Sequence, residues 1–415
     1  MKILFLNAYF EPESIPFTHL EKDLLEGLTK DGHEIYIVCP TPTRGISKDV
    51  AKQYKKIKIE DLYDGKVHVR RFWAPQETRN PITRAFRYFW CNFREIAIGK
   101  KYKDIDVIFS NSTPPTQGLV CSSVKKKLKV PYVFSLQDIF PDSLVTANMT
   151  KKGSFIWNFG RKLENKTYRN ADKIVVISED FKRNIMEKGV PEEKIVIIPN
   201  WVDSEKVYPI DRKDNVLFAR YGLDLDKFYI CYSGNIGHSQ NMRMLLNTAK
   251  ELKTELPDVR FVLIGDGAAR EEVEAFIKDE AIDNVIMLPF QPYEEIAHVF
   301  SLGDAGLIIS KPGIGNSSVP SKTWSIMAAA RPVLCSFDDD SELSKLIKEV
   351  GCGVTAQAEE GTENLKKAIY TLYNSKKTNA EMGTLGRKYL TEYLDKDKCV
   401  GMYVETIKNT ESFGS

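Results

Sequence analysis

Short apolar runs alternate with amphipathic stretches along the whole chain, and each run has the length of a buried strand. The first set of predicted strands is Ile3–Asn7, Glu34–Cys39, Val67–Phe72, Val107–Ser110, Tyr132–Leu136, Lys173–Ile177 and Lys194–Ile198. The second set is Tyr229–Ser233, Arg260–Ile264, Val285–Leu288, Ala305–Ile309 and Pro332–Cys335. Stretches such as Phe17–Lys30 and Glu179–Lys188 predict helices between the strands. Strands that alternate with helices indicate parallel sheets, so the two sets predict two doubly wound α/β domains.

The joint between the two sets is predicted near Asn200–Asn215, a polar stretch that contains Pro209 and follows Pro199. A length of 415 residues agrees with two large domains. Open α/β sheets bind ligands at the carboxyl ends of their strands. Two such domains that face each other across a cleft would suit a transfer between two bound molecules.

Composition places the chain among ordinary globular proteins, with 42% hydrophobic and 28% charged residues. These values exclude disordered, collagen-like and disulfide-scaffold classes. No apolar run reaches the ~18 residues that a membrane span needs. The seven cysteines are scattered and never form a C-x-x-C pair, which favours reduced thiols in a cytosolic protein and argues against zinc or iron–sulfur sites.

The net charge of +2 conceals an asymmetry between the two halves. Residues 1–200 carry 34 basic and 24 acidic side chains, a net +10, whereas residues 201–415 carry 25 and 33, a net −8. We therefore expect the halves to meet different partners. An anionic membrane, a phosphorylated substrate or nucleic acid would suit the basic half, although no nucleic-acid recognition motif is present.

Two glycine-containing loops are candidates for phosphate binding. Strand Tyr229–Ser233 leads into Gly234, Asn235, Ile236 and Gly237 and then into a helix, where glycines would let the backbone approach a phosphate. An ordinary tight turn explains this short motif equally well. The second loop, Gly313–Lys322, precedes a predicted helix Thr323–Ala330, so Lys322 beside a helix start suggests a diphosphate site. The alternative is a capped surface helix with a solvated lysine.

The segment Ser135–Ser143 follows a strand of the first half, which places Asp138 at a carboxyl edge. This carboxylate is a candidate contact for an acceptor hydroxyl. A helix-capping role is an equal alternative.

The stretch Pro81–Lys103 predicts a basic, aromatic amphipathic helix. One face would carry the apolar side chains, namely Ile82, Phe86, Phe89, Trp90, Phe93, Ile96 and Ala97. Arg84, Arg87 and Arg94 would lie off that face, which is typical of a membrane-surface anchor. Lys100, Lys101 and Lys103, with the run Lys125–Lys127 and Lys129, would add attraction to anionic headgroups. The alternative is that the aromatic face belongs to the core.

Six motifs in order resemble a known family. They are Tyr9–Glu13, Gly32–Ile35, Ala171–Ser178, Ile198–Asp203, Ser233–Gly237 and Pro320–Lys322 with Met327–Leu334. Together they resemble the retaining GT-B glycosyltransferases of family 4 that build bacterial surface polysaccharides. The segment Gln137–Ser143 is similar to that of the amino-sugar transferase branch.

The resemblance implies two Rossmann-like domains, one that binds the acceptor and one that binds the donor. Residues 1–205, with a returning segment at about 396–415, would hold the acceptor, and residues 206–395 would hold a UDP-sugar. The acceptor would be a polyprenyl-diphosphate-linked sugar or a saccharide, reached by peripheral contact with an anionic membrane through Arg84, Phe86, Trp90 and Phe93. No metal or other cofactor is implied.

The site residues implied by the resemblance include several departures from the family pattern. The usual Glu-x7-Glu pair aligns with Ser317 and Ser325, and the usual diphosphate cations align with Asn235 and Gln240. Lys322 is the best replacement for the cations and Arg243 is a second. The donor residues are then Gly234, Asn235, Gly237, Pro289, Phe290, Gln291, Ser317, Ser321, Lys322 and Ser325. Asp138 and Lys322 would carry the chemistry, and the backbone near Pro289–Gln291 would contact the base.

The expected function is retaining transfer of a sugar, an N-acetylhexosamine by the branch resemblance, from a UDP-sugar at the inner face of the plasma membrane. Two alternatives stay open. The missing carboxylates and cations would suit a non-catalytic partner subunit, and a nucleotide-sugar epimerase would use the same fold without an acceptor.

Overall fold

The computed structural model describes residues 1–13, 17–78, 80–146, 149–314 and 320–410. The chain forms two compact units. Unit 1 comprises Met1–Asn200 and Asp397–Ser415, and unit 2 comprises Trp201–Lys396. Each unit is an α/β domain with its own sheet and core, as the strand pattern predicts.

The described part of unit 1 contains one eight-stranded sheet. Its strands are β1 (Lys2–Leu6), β2 (Glu34–Pro40), β3 (Ile59–Leu62), β4 (Val67–Phe72), β5 (Val107–Asn111), β6 (Tyr132–Leu136), β7 (Lys173–Val176) and β8 (Ile195–Ile197). They lie in the order β3-β4-β2-β1-β5-β6-β7-β8. All neighbours are parallel except β3, which pairs antiparallel with β4 at the edge.

The helices of unit 1 cover both faces of this sheet. They are α1 (Thr18–Lys30), α2 (Lys48–Tyr54), α3 (Pro81–Gly99), α4 (Gln117–Leu128), α5 (Asp142–Thr146), α6 (Phe155–Asn170), α7 (Glu179–Glu187) and, after unit 2, α16 (Lys396–Lys408). Leu6 and Ile108 point toward α4 and belong to one core cluster with Val120 and Val124. Phe109 points to the opposite face, where Tyr403 of α16 meets its ring edge-on at 6.1 Å between centroids.

Helix α16 is held in unit 1 by polar as well as apolar contacts. The hydroxyl of Tyr403 lies 2.9 Å from that of Ser135 in β6. Lys408 donates to Asp31 at 3.0 Å, at the end of α1. The space between α1 and α16 is so small that a β-carbon on Gly27 would collide with Val400. The chain therefore returns to complete the first domain after it has built the second.

Unit 2 contains a six-stranded parallel sheet in its described residues. Its strands are β9 (Phe228–Ser233), β10 (Val259–Ile264), β11 (Val285–Leu288), β12 (Ala305–Ile309), β13 (Val333–Phe337) and β14 (Gly353–Gln357), in the order β11-β10-β9-β12-β13-β14. Its helices are α8 (Val216–Tyr221), α9 (Met242–Glu255), α10 (Arg270–Asp279), α11 (Ile296–Phe300), α12 (Lys322–Ala328), α13 (Glu342–Val350), α14 (Glu363–Tyr373) and α15 (Lys376–Tyr393).

Two features of the chain bear on membranes and redox state. Among the helices of the described residues, none combines the length and the apolar character needed to cross a bilayer. All seven cysteines are buried and have free thiols.

Candidate functional site

The ends of β9 and β10 approach each other more closely than side chains would allow. Gly234 follows β9 with φ 141°, and Gly265 follows β10 with φ 155°. A β-carbon on Gly265 would collide with the carbonyl oxygen of Gly234, and one on Gly267 would collide with that of Ile236. Glycine is therefore required at this junction, which leaves bare backbone at the carboxyl edge of the unit 2 sheet.

The loop between β9 and α9 is fixed by its own polar side chains. The Oε1 atom of Gln240 accepts from the backbone N–H of Gly237 at 3.0 Å. The hydroxyl of Tyr232 donates to the carbonyl oxygen of Asn235 at 2.6 Å. Gln240 thus caps the turn at the position where the family resemblance implies a cation, so the loop is ordered without one.

Lys322 lies directly over this glycine junction. Its Nζ donates to the Tyr232 hydroxyl at 2.9 Å and lies 4.3 Å from the centroid of the Tyr232 ring. A β-carbon on Gly234 would be 2.9 Å from the same nitrogen. No carboxylate of the described chain pairs with it, and burial lowers the pKa of Lys322 to about 8. A half-buried ammonium without a counter-carboxylate is ready to receive an anion.

The serines predicted to bind the donor near Lys322 differ in their exposure to solvent. Helix α12 spans Lys322–Ala328, so it begins one residue earlier and ends two residues earlier than predicted. Ser321 is exposed and makes no capping bond, whereas Ser325 is buried within α12. Ser317 lies outside the described residues.

The segment after β11 contains the residues predicted to contact a base. Gln291 is buried, and its amide nitrogen donates to the Pro289 carbonyl at 2.6 Å and to the Tyr221 hydroxyl at 2.9 Å. Phe290 is 72% exposed, so its ring is open to a ligand at the carboxyl edge of the sheet. Gln291 therefore holds the loop, while Phe290 presents the free aromatic surface.

A second basic group near the glycine loop was not predicted from the sequence. Lys311 follows β12 and lines a depression of about 430 Å³ together with Gly237 and Arg243. The guanidinium carbon of Arg243 lies 3.7 Å from the Phe276 ring centroid, so this proposed cation is stacked on an aromatic ring. The position of Lys311 just beyond a predicted strand was the signal that would have identified it.

Asp138 lies at the carboxyl edge of the unit 1 sheet, in the loop after β6. It lines a depression of about 270 Å³ with Ser112, Phe140 and Tyr168. Desolvation raises the pKa of Asp138, opposed by Ser143 and by the N–H of Ile139. Asp138 is exposed, so its carboxylate is accessible to a ligand at this edge of the sheet.

The loop that carries Asp138 is braced by the neighbouring motif residues. Asn200 donates to the Gln137 side-chain oxygen at 2.9 Å, and Gln137 donates to the Ser135 hydroxyl at 3.1 Å. A β-carbon on Gly160 of α6 would be 2.8 Å from Pro141, so the loop packs tightly on that helix. Gln137 and Asn200 therefore position the loop and are not free to bind a ligand through these atoms.

Helix α3 exposes its aromatic stripe. Phe86, Phe89 and Phe93 are 59%, 72% and 57% exposed, so these three rings do not belong to the core. The buried side of α3 instead carries Arg87, Cys91, Glu95 and Ile98. The predicted apolar face is therefore exposed at its centre, where the three phenylalanines lie, while Trp90 and Ile96 at its margins pack partly against the core.

The lysines predicted to assist this helix lie at its other end. Lys100, Lys101 and Lys103 follow the last turn of α3, and Lys125–Lys127 form the last turn of α4. Lys125 also forms an ion pair with Asp172, with 2.6 Å between Nζ and Oδ2. Arg84 lies at the first turn of α3, next to the aromatic stripe. The basic residues beside the exposed rings are therefore the arginines of α3.

Among the residues that the structure describes, no group of three or more His, Cys, Asp or Glu side chains is arranged to hold a metal ion.

Comparison with known proteins identifies the family of each unit. Residues 22–206 match the family model "Glycosyltransferase Family 4", and residues 214–389 match "Glycosyl transferases group 1". The chain is 24% identical to the putative colanic acid biosynthesis glycosyl transferase WcaI of Escherichia coli, over 98% of this chain and 100% of that protein. It is 28% identical to the probable glycosyltransferase WbjE of Pseudomonas aeruginosa, over 60% of this chain and 61% of that relative.

Solved structures share the fold. HepE from Anabaena, crystallised with UDP, has a TM-score of 0.72 at 16% identity, over 98% of this chain and 100% of that one. At that identity the likeness shows the two-domain α/β fold of the GT-B class. Since consecutive family models account for both units, the chain belongs to the GT-B glycosyltransferases that join a family 4 amino-terminal domain to a group 1 carboxy-terminal domain.

Proposed function

We propose that this glycosyltransferase moves a sugar, with retention of configuration, from a UDP-sugar to a lipid-linked or saccharide acceptor in bacterial surface-polysaccharide synthesis. The amino-sugar resemblance of Gln137–Ser143 suggests an N-acetylhexosamine as the sugar. The observation that carries the proposal is Lys322, a half-buried ammonium over a glycine junction with no carboxylate to neutralise it among the described residues.

Departure of the diphosphate is the step that this site would assist. As the glycosidic bond to the phosphate breaks, negative charge grows on the leaving oxygens and the sugar becomes oxocarbenium-like. Lys322 would stabilise that charge through a short contact in a partly desolvated place, where such an interaction is stronger than in water. Backbone N–H groups near Gly234 and Gly237 would contribute further donors.

The acceptor hydroxyl would attack from the face on which the diphosphate leaves. Asp138 would orient and polarise that hydroxyl. Ser317 would face the sugar and Ser325 the ribose, and Phe290 would stack on the base. Because serine hydroxyls are weaker partners than carboxylates, we expect looser sugar binding than in family members that keep both glutamates.

The comparisons support this proposal without testing it residue by residue. HepE has the same fold and was crystallised with UDP. WcaI, which aligns over nearly the whole chain, is described as a transferase of colanic acid biosynthesis. Absence of a metal from the reaction stays a prediction.

We further propose that unit 1 contacts an anionic membrane through two exposed apolar patches. The first is the α3 patch, Phe86, Phe89 and Phe93. The second, which was not predicted from the sequence, is the α6 patch, Phe155, Ile156 and Phe159 at the start of α6. Exposed rings in such groups are typical of interaction surfaces and not of a solvated protein surface.

Both patches begin toward the same end of unit 1, and the α3 patch extends from there past the middle of its helix. Helices α3 and α6 both contact α4, so the three lie side by side on one face of the sheet. Each runs from the carboxyl edge of the parallel sheet to its amino edge, so their first turns share the carboxyl edge, where Asp138 lies. Residues 143–163 carry Lys151, Lys152, Arg161 and Lys162 and no acidic residue, a charge that suits anionic headgroups.

The proposal is tested by calorimetric titration of UDP into the wild-type protein and the variant Lys322→Met. We expect the variant to bind UDP at least ~10-fold more weakly, because a charge-assisted contact to phosphate is lost. Lys253→Met is the control, since Lys253 belongs to the same unit and pairs with Asp283 on the surface. Equal UDP affinity in all three proteins would remove Lys322 from the site. A folded wild-type protein that binds none of UDP, GDP and ADP would favour the non-catalytic partner.

A further inference from the structure

Three arginines gather around two tyrosines at the carboxyl edge of the unit 1 sheet. The guanidinium carbons of Arg44 and Arg87 lie 5.8 Å and 5.9 Å from the Tyr9 ring centroid. That of Arg84 lies 5.9 Å from the Tyr88 ring centroid. We call these five residues the arginine cluster. Its members come from the loops that follow β1 and β2 and from the first turns of α3, which places the cluster where open α/β sheets bind ligands.

The cluster carries more positive charge than its own carboxylates neutralise. Glu77 is shared between Arg84 and Arg44, with closest nitrogen–oxygen distances of 3.5 Å and 4.0 Å. These are long single contacts and not the bidentate pairs that arginine forms with a dedicated carboxylate. Glu13 and Glu95 are the other acids near Arg87, and burial raises the pKa of both carboxyls, to about 8 for Glu95, which weakens their neutralising charge.

Arg87 is a buried cation with spare hydrogen-bonding capacity. It is 1% exposed, and its Nη1 donates to the Pro75 carbonyl oxygen at 2.6 Å. Its Nη2 is buried and has no acceptor among the described residues. A guanidinium in such a place raises the positive potential at the neighbouring surface, because the low local dielectric screens it little.

The two outer arginines are open to a ligand. The side chains of Arg44 and Arg84 are 47% and 48% exposed. Arg84 donates through Nε to the Tyr88 hydroxyl at 3.2 Å, which leaves its terminal nitrogens without a hydrogen bond in the described chain. The Tyr9 and Tyr88 hydroxyls are 3.3 Å apart, between the guanidiniums. Planar guanidiniums with free N–H groups match the oxygens of a phosphate group.

The α3 patch lies on the same helix, where Phe86 stands between Arg84 and Arg87 and Phe89 follows Arg87 by two residues. We propose that the arginine cluster binds the phosphate or diphosphate group of an amphiphilic ligand whose apolar chain extends along the α3 patch. Arg44 and Arg84 contact the phosphate oxygens, and Arg87 is a positioning residue that fixes Tyr9 and the local potential. This assignment rests on the proposed function, since such a ligand is a lipid-linked acceptor held at the acceptor domain.

The test uses farnesyl diphosphate as the probe, titrated into the full chain in the presence of saturating UDP so that the donor site is occupied. The variant R44Q/R84Q removes the two outer cations, and both side chains are exposed enough for the fold to tolerate the change. We expect farnesyl diphosphate affinity to fall by about 10-fold or more for each guanidinium that contacts it. Farnesol, which lacks the anion, should bind no better to the wild-type protein than to the variant.

R94Q is the matched control. Arg94 lies on the same helix two turns from Arg87, about 10 Å along its axis, and its guanidinium is over Trp90. A loss in R44Q/R84Q that R94Q does not share supports the assignment. An equal loss in R94Q overturns it, as does unchanged farnesyl diphosphate affinity in R44Q/R84Q together with unchanged binding to phosphatidylglycerol vesicles.

Phosphatidylglycerol vesicles distinguish the two sources of such a phosphate. Loss of vesicle binding with unchanged farnesyl diphosphate affinity assigns the cluster to a bilayer headgroup, and the opposite result assigns it to a single lipid-linked ligand. If R44Q/R84Q matches the wild-type protein with both probes, the site does not exist. Failure of the proposed function is seen separately, because it would abolish UDP binding and leave the farnesyl diphosphate titration, repeated without UDP, intact.

Discussion

The charge of Lys322 depends on pH, so the affinity of the protein for a diphosphate ligand should depend on pH as well. Burial lowers the pKa of Lys322 from the ordinary 10.5 to about 8, so the charge that would bind a diphosphate is partly lost in mildly alkaline solution. The stability of the free protein should change with pH in the opposite direction. The folded state disfavours the charged lysine, so this group adds stability as pH rises from about 8 toward 10.5.

We therefore expect UDP affinity to fall above pH ~8, by up to about tenfold per pH unit if one proton is coupled to binding. Lys322→Arg should bind UDP with little change over the same range, because arginine keeps its charge. Calorimetric titrations at half-unit steps from pH 7 to pH 9.5 measure both proteins. Parallel pH profiles for the wild-type protein and Lys322→Arg would show that another group controls binding.

The residue scale also shows what a sequence can indicate about a site. Lys322 and Gly234 were found because a strand, a glycine loop and a helix start have recognisable local patterns. The support that Lys322 receives from Tyr232 was not found, since Tyr232 appears in the sequence only as one more apolar strand residue. Arg87 was expected to be off the apolar face of its helix, yet it is buried. A polar residue that is buried in a network carries no local signal of its burial.

At the scale of elements, the α3 and α6 patches make a prediction about membranes. Replacing Phe86, Phe89 and Phe93 together by serine should reduce binding to phosphatidylglycerol vesicles by at least ~100-fold, since burial of each ring is worth about 1.5–3 kcal/mol. Replacing Phe155 and Phe159 by serine should reduce it by at least ~10-fold through the second patch. Vesicle cosedimentation measures each loss.

Phe290→Ser is the control for this experiment, because Phe290 is equally exposed but belongs to unit 2. Its vesicle binding should equal that of the wild-type protein. Retention of vesicle binding by the α3 triple variant would exclude that patch as a membrane contact.

The strands were more predictable than the helix faces. Val67–Phe72, Tyr132–Leu136, Val285–Leu288 and Ala305–Ile309 have the predicted bounds, because short β-branched and aromatic runs between breakers have few alternatives. The edge strand Ile59–Leu62 was missed, since an exposed strand with two acidic residues has no apolar run. The exposure of the aromatic face of α3 stayed open, because helical periodicity shows which residues align and not which side of the helix the fold covers.

At the scale of the whole molecule, α16 links the stability of unit 1 to a segment that follows unit 2. Removal of residues 397–415 would uncover the apolar surface beneath Val400, Tyr403 and Ile407. At about 1.5–3 kcal/mol for each side chain, the loss approaches the stability of a whole domain. We expect unit 1 of the truncated chain to unfold at a much lower temperature.

Calorimetric scans with and without UDP distinguish the unfolding transition of unit 1 from that of unit 2. In the truncated chain, a UDP-stabilised transition should persist for unit 2 while the transition of unit 1 moves down or disappears. The full chain provides the control. Identical scans for the two proteins would mean that α16 contributes little to the stability of unit 1.

Because α16 follows unit 2 in the chain, unit 1 cannot be completed during synthesis until unit 2 has been made. The 196 residues of unit 2, Trp201–Lys396, emerge from the ribosome before the helix that completes unit 1. At roughly 5–20 residues per second, the nascent first domain waits about 10–40 s with one face of its sheet incompletely covered. The second domain is synthesised during that interval. This chain is therefore expected to depend on chaperone protection of its first domain until translation reaches the last helix.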